Sequence, residues 1–139
     1  MAVYLPLAVE EGKAGTAQGG EDMILAEFFT NKESGSITLK LSGHAGQAEH
    51  GKDIVCAAAS ILAYTVAQTL QFQYEEGGLK KKPHLKLEPG DTIIVAKPKP
   101  ERYEETLHTF FVAQVGYSLL AKTYSQYVTL SSFSDSGES

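Results

Sequence analysis

Between residues 53 and 73 the chain reads DIVCAAASILAYTVAQTLQFQ, a run without proline or glycine, rich in alanine and apolar nearly all round. Alanine is the strongest helix former, and Asp53 at the head of the run suits an N-cap, where a carboxylate accepts the free N–H groups of the first turn. The run predicts a long helix. A helix apolar on every side must bury more than one face. The rest of the chain therefore has to supply a sheet for it to lie on, or a partner has to cover it.

The flanking segments supply the sheet. Residues 23–30 (MILAEFFT) form a β-rich apolar run, followed by the turn residues Asn31-Lys32-Glu33-Ser34-Gly35. Residues 36–42 alternate, with Ile37, Leu39 and Leu41 on one face and Thr38, Lys40 and Ser42 on the other, the period of a half-buried strand. Glu75-Glu76-Gly77-Gly78 stops the helix, and Lys80-Lys81-Lys82-Pro83 reads as an exposed connection. A second hairpin is expected over 84–88 and 92–97 around Glu88-Pro89-Gly90-Asp91. A second amphipathic helix is expected over 101–122, with Leu107, Phe110, Phe111, Gln114 and Val115 at helical spacing and Gly116 marking a close contact or bend. Residues 126–131 read as a last strand. The order β-β-α-β-β-α-β predicts an α+β two-layer sandwich, a mostly antiparallel sheet with two helices packed on it. The expected domain is 23–131, between a poorly ordered extension (1–22) and a polar tail (132–139).

Size and charge narrow the function. With 139 residues the chain is one ordinary domain, long enough for a core without staples. Lys plus Arg is 12 against 17 Asp plus Glu, a net charge of −5, and Arg102 is the single arginine. That balance argues against general nucleic-acid binding. No membrane span is expected, and the absence of Lys or Arg before Lys13 lacks the basic start of a secretory signal, so a cytoplasmic protein is expected. One cysteine, Cys56, rules out an internal disulfide and a Cys-rich zinc site. His44, His50, Asp53 and Cys56 are ligand types that suit zinc, but in a Gly-rich loop they are not preorganised; neither a metal nor a cofactor is expected.

Cys56 is then the residue that carries chemistry. Capped at Asp53, the helix would hold Cys56 in its first turn, where unpaired N–H groups and the dipole favour a thiolate. His44 ends a strand twelve residues earlier, before the Gly-rich loop GHAGQAEHGK. Cys with His is the minimum equipment for covalent acyl transfer: the thiolate attacks, and the imidazole takes the thiol proton and returns it to the leaving amine. A single Cys in an Ala-rich helix is also, by default, a small buried hydrophobe. Asp53 either orients His44 or caps the helix, and Ser60, one turn after Cys56, either reaches into the site or bonds back to the Cys56 carbonyl. Gly43 and Gly51 bound the loop, as hinges or as plain turn glycines.

The segment Gly43-His44-Ala45…Gly51-x-Asp53-Ile54-Val55-Cys56-Ala57-Ala58-x-Ser60 resembles the signature of the ribosomal-processing cysteine protease family, Prp, and the element order resembles that family from about Met23 to Leu130. The resemblance implies His44 as general base, Cys56 as nucleophile and the 43–51 loop as a mobile flap. It further implies a homodimer that removes a short N-terminal extension from the precursor of large-subunit ribosomal protein number 27, cutting after Phe and before Ala. The 22 residues before Met23 depart from the family pattern, and Met23 is the alternative start. Rival readings on the same fold are a non-catalytic ribosome-assembly or peptide-binding module, with Cys56 packed and inert, and an acyltransferase or thioesterase using the same dyad. Six of the 12 basic residues lie between Lys80 and Lys99. They face ribosomal RNA or an acidic partner, or protect the edge of a solvated hairpin; the expectation is the latter, with no direct nucleic-acid contact. His84 and His108 are expected at the surface, and Tyr117, Tyr124 and Tyr127 in packing around the second helix and last strand.

Overall fold

The computed structural model describes residues 23–43 and 50–135. Its elements run β1 (Ile24–Asn31), β2 (Ser36–Ser42), α1 (His50–Glu75), β3 (His84–Glu88), β4 (Asp91–Ala96), a 3-10 turn (Pro100–Arg102), α2 (Tyr103–Thr123) and β5 (Val128–Asp135). This is the expected order and the expected α+β class. The expected extension 1–22 and residues 136–139 of the expected tail lie outside the described residues.

One five-stranded sheet has the order β3-β4-β2-β1-β5. β1 and β2 pair antiparallel with Ala26 opposite Leu41 and Phe28 opposite Leu39. β2 pairs with β4 and β4 with β3, also antiparallel. β5 closes the sheet against β1 in parallel, Ile24 opposite Val128 and Ala26 opposite Leu130, and the Ile24 N–H donates to the Tyr127 carbonyl at 2.8 Å. A parallel neighbour requires a long crossover, which α2 provides.

Alternation decides which face is covered. Ile24, Ala26 and Phe28 of β1, Ile37, Leu39 and Leu41 of β2, Ile94 and Ala96 of β4, and Val128 and Leu130 of β5 are all buried on one face. Each large aliphatic side chain taken out of water there contributes about 1.5–3 kcal/mol. The helices cover that face, α1 with Val55, Ala59, Ala63, Val66 and Leu70 and α2 with Phe110, Ala113 and Tyr117. The two helices cross closely at Gly116, where a Cβ would stand 2.7 Å from a Leu62 methyl, so the glycine marks a contact and not a bend. Polar groups stitch the same interface. The Tyr117 hydroxyl donates to the Ala59 carbonyl at 2.7 Å, Thr106 Oγ1 donates to Gln73 Oε1 at 3.0 Å, and Gln73 Nε2 donates to Thr109 Oγ1 at 2.9 Å. As expected, His84 and His108 are exposed, Tyr117 is buried, and Tyr124 and Tyr127 pack half-buried against the core.

Two expectations need correction. α1 begins at His50, so Asp53 lies inside the helix and is not its N-cap. Ser132–Asp135 belong to β5 and not to a tail, because an edge strand is held by backbone pairing that polar side chains do not prevent. Ile54–Glu75 is, by length and composition alone, long and apolar enough to cross a bilayer, a test that a core helix also passes. Here its inner side packs on the sheet, while Ile54, Ile61, Tyr64 and Phe72 stand exposed along its outer side.

Candidate active site

Cys56 is half-buried on α1 and lines a cleft of about 160 Å³ at one end of the sheet. Ile24, Leu41, Ala59 and Ala63 line it with apolar side chains from both layers. One wall is the α1 face carrying Cys56, Ser60 and Tyr64, successive residues four apart and therefore stacked one above another. The opposite wall is the β3–β4 turn, Glu88 to Thr92. Pairing brings that turn there, since Ser42 lies opposite Asp91 and Leu41 opposite Thr92. Lys86 and Asp91 form an ion pair across the hairpin at 2.7 Å, and the carboxylate holds the Lys86 ammonium pKa above its ordinary value.

Gly43 closes one end of the cleft. Its φ of +88° lies in the left-handed region, its N–H donates to the Gly90 carbonyl at 3.1 Å, and a Cβ there would overlap the Met23 carbonyl. Only glycine fits. It ties three chain segments together immediately before residue 44.

The predicted site residues divide as follows. Gly43, Cys56 and Ser60 line one cleft. His44 lies outside the described residues, as do the side chain of Asp53 and that of His50. Gly51 sits in the first turn of α1, so of the two expected hinge glycines only Gly43 borders the 44–49 segment. Cys56 is the seventh residue of α1 and its N–H falls within the i→i−4 ladder; the helix's free N–H groups belong to residues 50–53, a turn earlier. Among the described residues no group of three or more His, Cys, Asp or Glu could hold a metal ion. Sequence reasoning missed Tyr64 and the β3–β4 turn as walls. The four-residue spacing from Cys56 through Ser60 would have found Tyr64; nothing local could have found the turn.

The fold that holds this cleft, two helices on a mixed five-stranded sheet, is one that solved structures share. A crystal structure of SMU.848 from Streptococcus mutans is similar at 26% identity and a TM-score of 0.62, over 84% of this chain and 99% of that one. An essential ribosomal processing protease Prp from S. aureus, in complex with a substrate peptide, is similar in fold at 19% identity and a TM-score of 0.58, over 79% of this chain and 99% of that one. The same S. aureus protease with a covalently linked product peptide gives 21% identity and a TM-score of 0.57, again over 79% and 99%. No curated protein sequence matches the chain. Residues 23–129 match the family described as cysteine protease Prp, and the chain belongs to that family.

Proposed function

We propose that this protein is a cytoplasmic cysteine endopeptidase that works with a Cys56–His44 dyad and removes the N-terminal extension of the precursor of large-subunit ribosomal protein 27, cutting after a Phe. The observation that carries the reading is the shared cleft: Cys56 lines it, and so does Gly43, directly before His44. The S. aureus relative, a ribosomal processing protease in complex with a substrate peptide, supports the substrate class.

The steps follow from the residues. His44 takes the proton of the Cys56 thiol, and the thiolate attacks the carbonyl carbon of the scissile bond. As the tetrahedral intermediate collapses, the C–N bond breaks, and the imidazolium returns its proton to the departing amine. The acyl group stays on Sγ as a thioester. Water, deprotonated by His44, attacks that carbonyl, the C–S bond breaks, and the thiolate regains its proton. A covalently linked product peptide in the S. aureus relative accords with such a route. Ser60 and Tyr64 border the path of the peptide, and the apolar lining from Ile24, Leu41, Ala59 and Ala63 suits an apolar side chain beside the cut. Asp53 is the candidate to orient His44, and Gly43 the hinge of a flap that closes on the correct peptide.

Ile54, Ile61, Tyr64 and Phe72 on α1 are exposed, as are Leu85 and Leu87 on the edge strand β3. Side chains of this kind favour burial against a second copy, so the working form is proposed to be a homodimer.

The test incubates the full chain with the ribosomal protein 27 precursor of the same organism and reads both intact masses, with Cys56→Ser as control. Loss of a short N-terminal peptide ending in Phe, absent in the control, establishes enzyme and substrate together. An uncut precursor, with Cys56 inert to iodoacetamide until the protein unfolds, overturns the reading in favour of a binding module.

A further inference from the structure

At the pole of the sheet opposite the cleft, lysines gather without carboxylate partners. Leu79 and Pro98 form an antiparallel bridge, which sets Lys80 opposite Lys97, and the Lys80 N–H donates to the Lys97 carbonyl at 2.8 Å. Directly opposite residues project to the same side, and like charges so placed destabilise the pairing. Next to them the Lys99 N–H donates to the Gly78 carbonyl at 3.0 Å, and its Nζ lies over Gly77. Lys32 and Lys80 line an open cleft of about 460 Å³ together with Pro98, Pro100 and Tyr103, and Glu33 is the single carboxylate residue on that lining. Among the described residues, ion pairs engage Lys86 and Arg102; no ion pair involves Lys32, Lys80, Lys97 or Lys99. Folding gains nothing from this clustering.

From this we infer that the pole is a docking surface for the phosphate backbone of single-stranded RNA, with Lys32, Lys80, Lys97 and Lys99 as the phosphate contacts and Tyr103 as a platform on which a base stacks. Lysine ammonium groups act as point charges toward phosphates. Tyr103, half-buried against the core, lines this cleft with Pro98 and Pro100, and the part of its ring facing the cleft adds a stacking surface that bases use and that an acidic peptide does not need. The net charge of −5 argued against nucleic acid only as an average over the chain; the distribution reverses that argument at this pole. The inference does not rest on the peptidase reading.

Fluorescence anisotropy tests it, using the full chain and a fluorescein-labelled oligouridine of about 20 nucleotides across ~50 to ~200 mM KCl. Binding is expected with a dissociation constant between about 1 and 100 μM, and with a log–log salt slope near −3, the value for about four neutralised phosphates on a single strand. Lys80→Glu with Lys97→Glu should weaken binding by about tenfold or more and flatten the slope. Tyr103→Leu should weaken it roughly tenfold at unchanged slope. The charge-reversed protein should keep the wild-type melting temperature and peptide hydrolysis; if it does not fold, Lys32→Glu with Lys99→Glu replaces it. No binding by the wild type overturns the inference, as does binding unaffected by the charge reversals. So does competition by polyglutamate as effective as that by unlabelled RNA, which would assign the pole to an acidic protein.

Discussion

The two ends of the sheet are made from the same strands, yet they carry opposite chemistry. At the end where β1 begins and β2 finishes, apolar side chains line the cleft beside Glu88 and Asp91, and the local lysine, Lys86, is neutralised by Asp91. At the end where β1 finishes and β4 leaves the sheet, Lys32, Lys80, Lys97 and Lys99 stand without ion-pair partners among the described residues, the first two on a cleft they share with Pro98, Pro100 and Tyr103. The strands themselves do not make this difference, because their alternation is the same from end to end. Connections make it: the β3–β4 turn and the Gly43 crossing at one end, the β1–β2 turn and the Leu79–Pro98 bridge at the other. A short sheet thus gives two sites that share a core and little else, and substitutions at one should leave the other intact.

The largest effect that sharpens this contrast is at the thiol. Cys56→Ala should abolish hydrolysis of the precursor, a loss of more than about 10³-fold, while RNA anisotropy at the far pole stays unchanged. Next, His44→Ala should slow acylation by roughly 10²–10⁴-fold without lowering the melting temperature, read by single-turnover mass analysis. An equal loss of stability would show that the residue supports the fold and not the chemistry.

Substitutions at glycines come third, and the one in the shared core should disturb both ends together. Gly116→Val forces side-chain atoms into Leu62 and should cost about 1–3 kcal/mol in urea unfolding. Gly43→Ala should cost at least ~1 kcal/mol, since the positive φ and the Met23 carbonyl both oppose a side chain, and it should depress hydrolysis more than RNA binding.

The smallest effect belongs to Tyr117. Its hydroxyl donates to the Ala59 carbonyl, and Tyr117→Phe should cost about 1 kcal/mol. Burial pushes its phenol well above the ordinary value of 10. The folded state therefore holds the proton where the unfolded chain releases it. Stability from this group is complete below pH 10 and is lost as the pH climbs above it. Tyr117→Phe should flatten that alkaline decline in melting temperature; an unchanged decline would assign it to other groups.

Local patterning made the two hairpins and both helices readable in advance. Ile37, Leu39 and Leu41 alternate over a few residues, and Pro89-Gly90 punctuates the second hairpin, so each signal is complete within its own segment. The start of α1 was misjudged because Asp53 has the chemistry of a cap, while nothing in His50-Gly51-Lys52 forbids helix. The parallel seat of β5 and the role of Glu88–Thr92 as a cleft wall were not legible. Both depend on pairing between distant segments, Ile24 with Val128 and Ser42 with Asp91, and no local period encodes that. Of the candidate site, the cysteine and the glycine that line the cleft could be read from the chain, since a lone cysteine and a glycine beside a histidine are local facts. The width and depth of the cleft are tertiary.

The docking of β5 beside β1 has a consequence for when this protein can first act. Ile24, which lines the cleft, donates its N–H to Tyr127, roughly a hundred residues later in the chain, and pairs with Val128. A nascent chain still threading through the ribosomal tunnel has Cys56 and the first hairpin outside long before the final strand emerges. Until then β1 has an open edge and the cleft lining is unsecured. The β1 edge of the cleft is thus secured last, once β5 has been made and can pair with it.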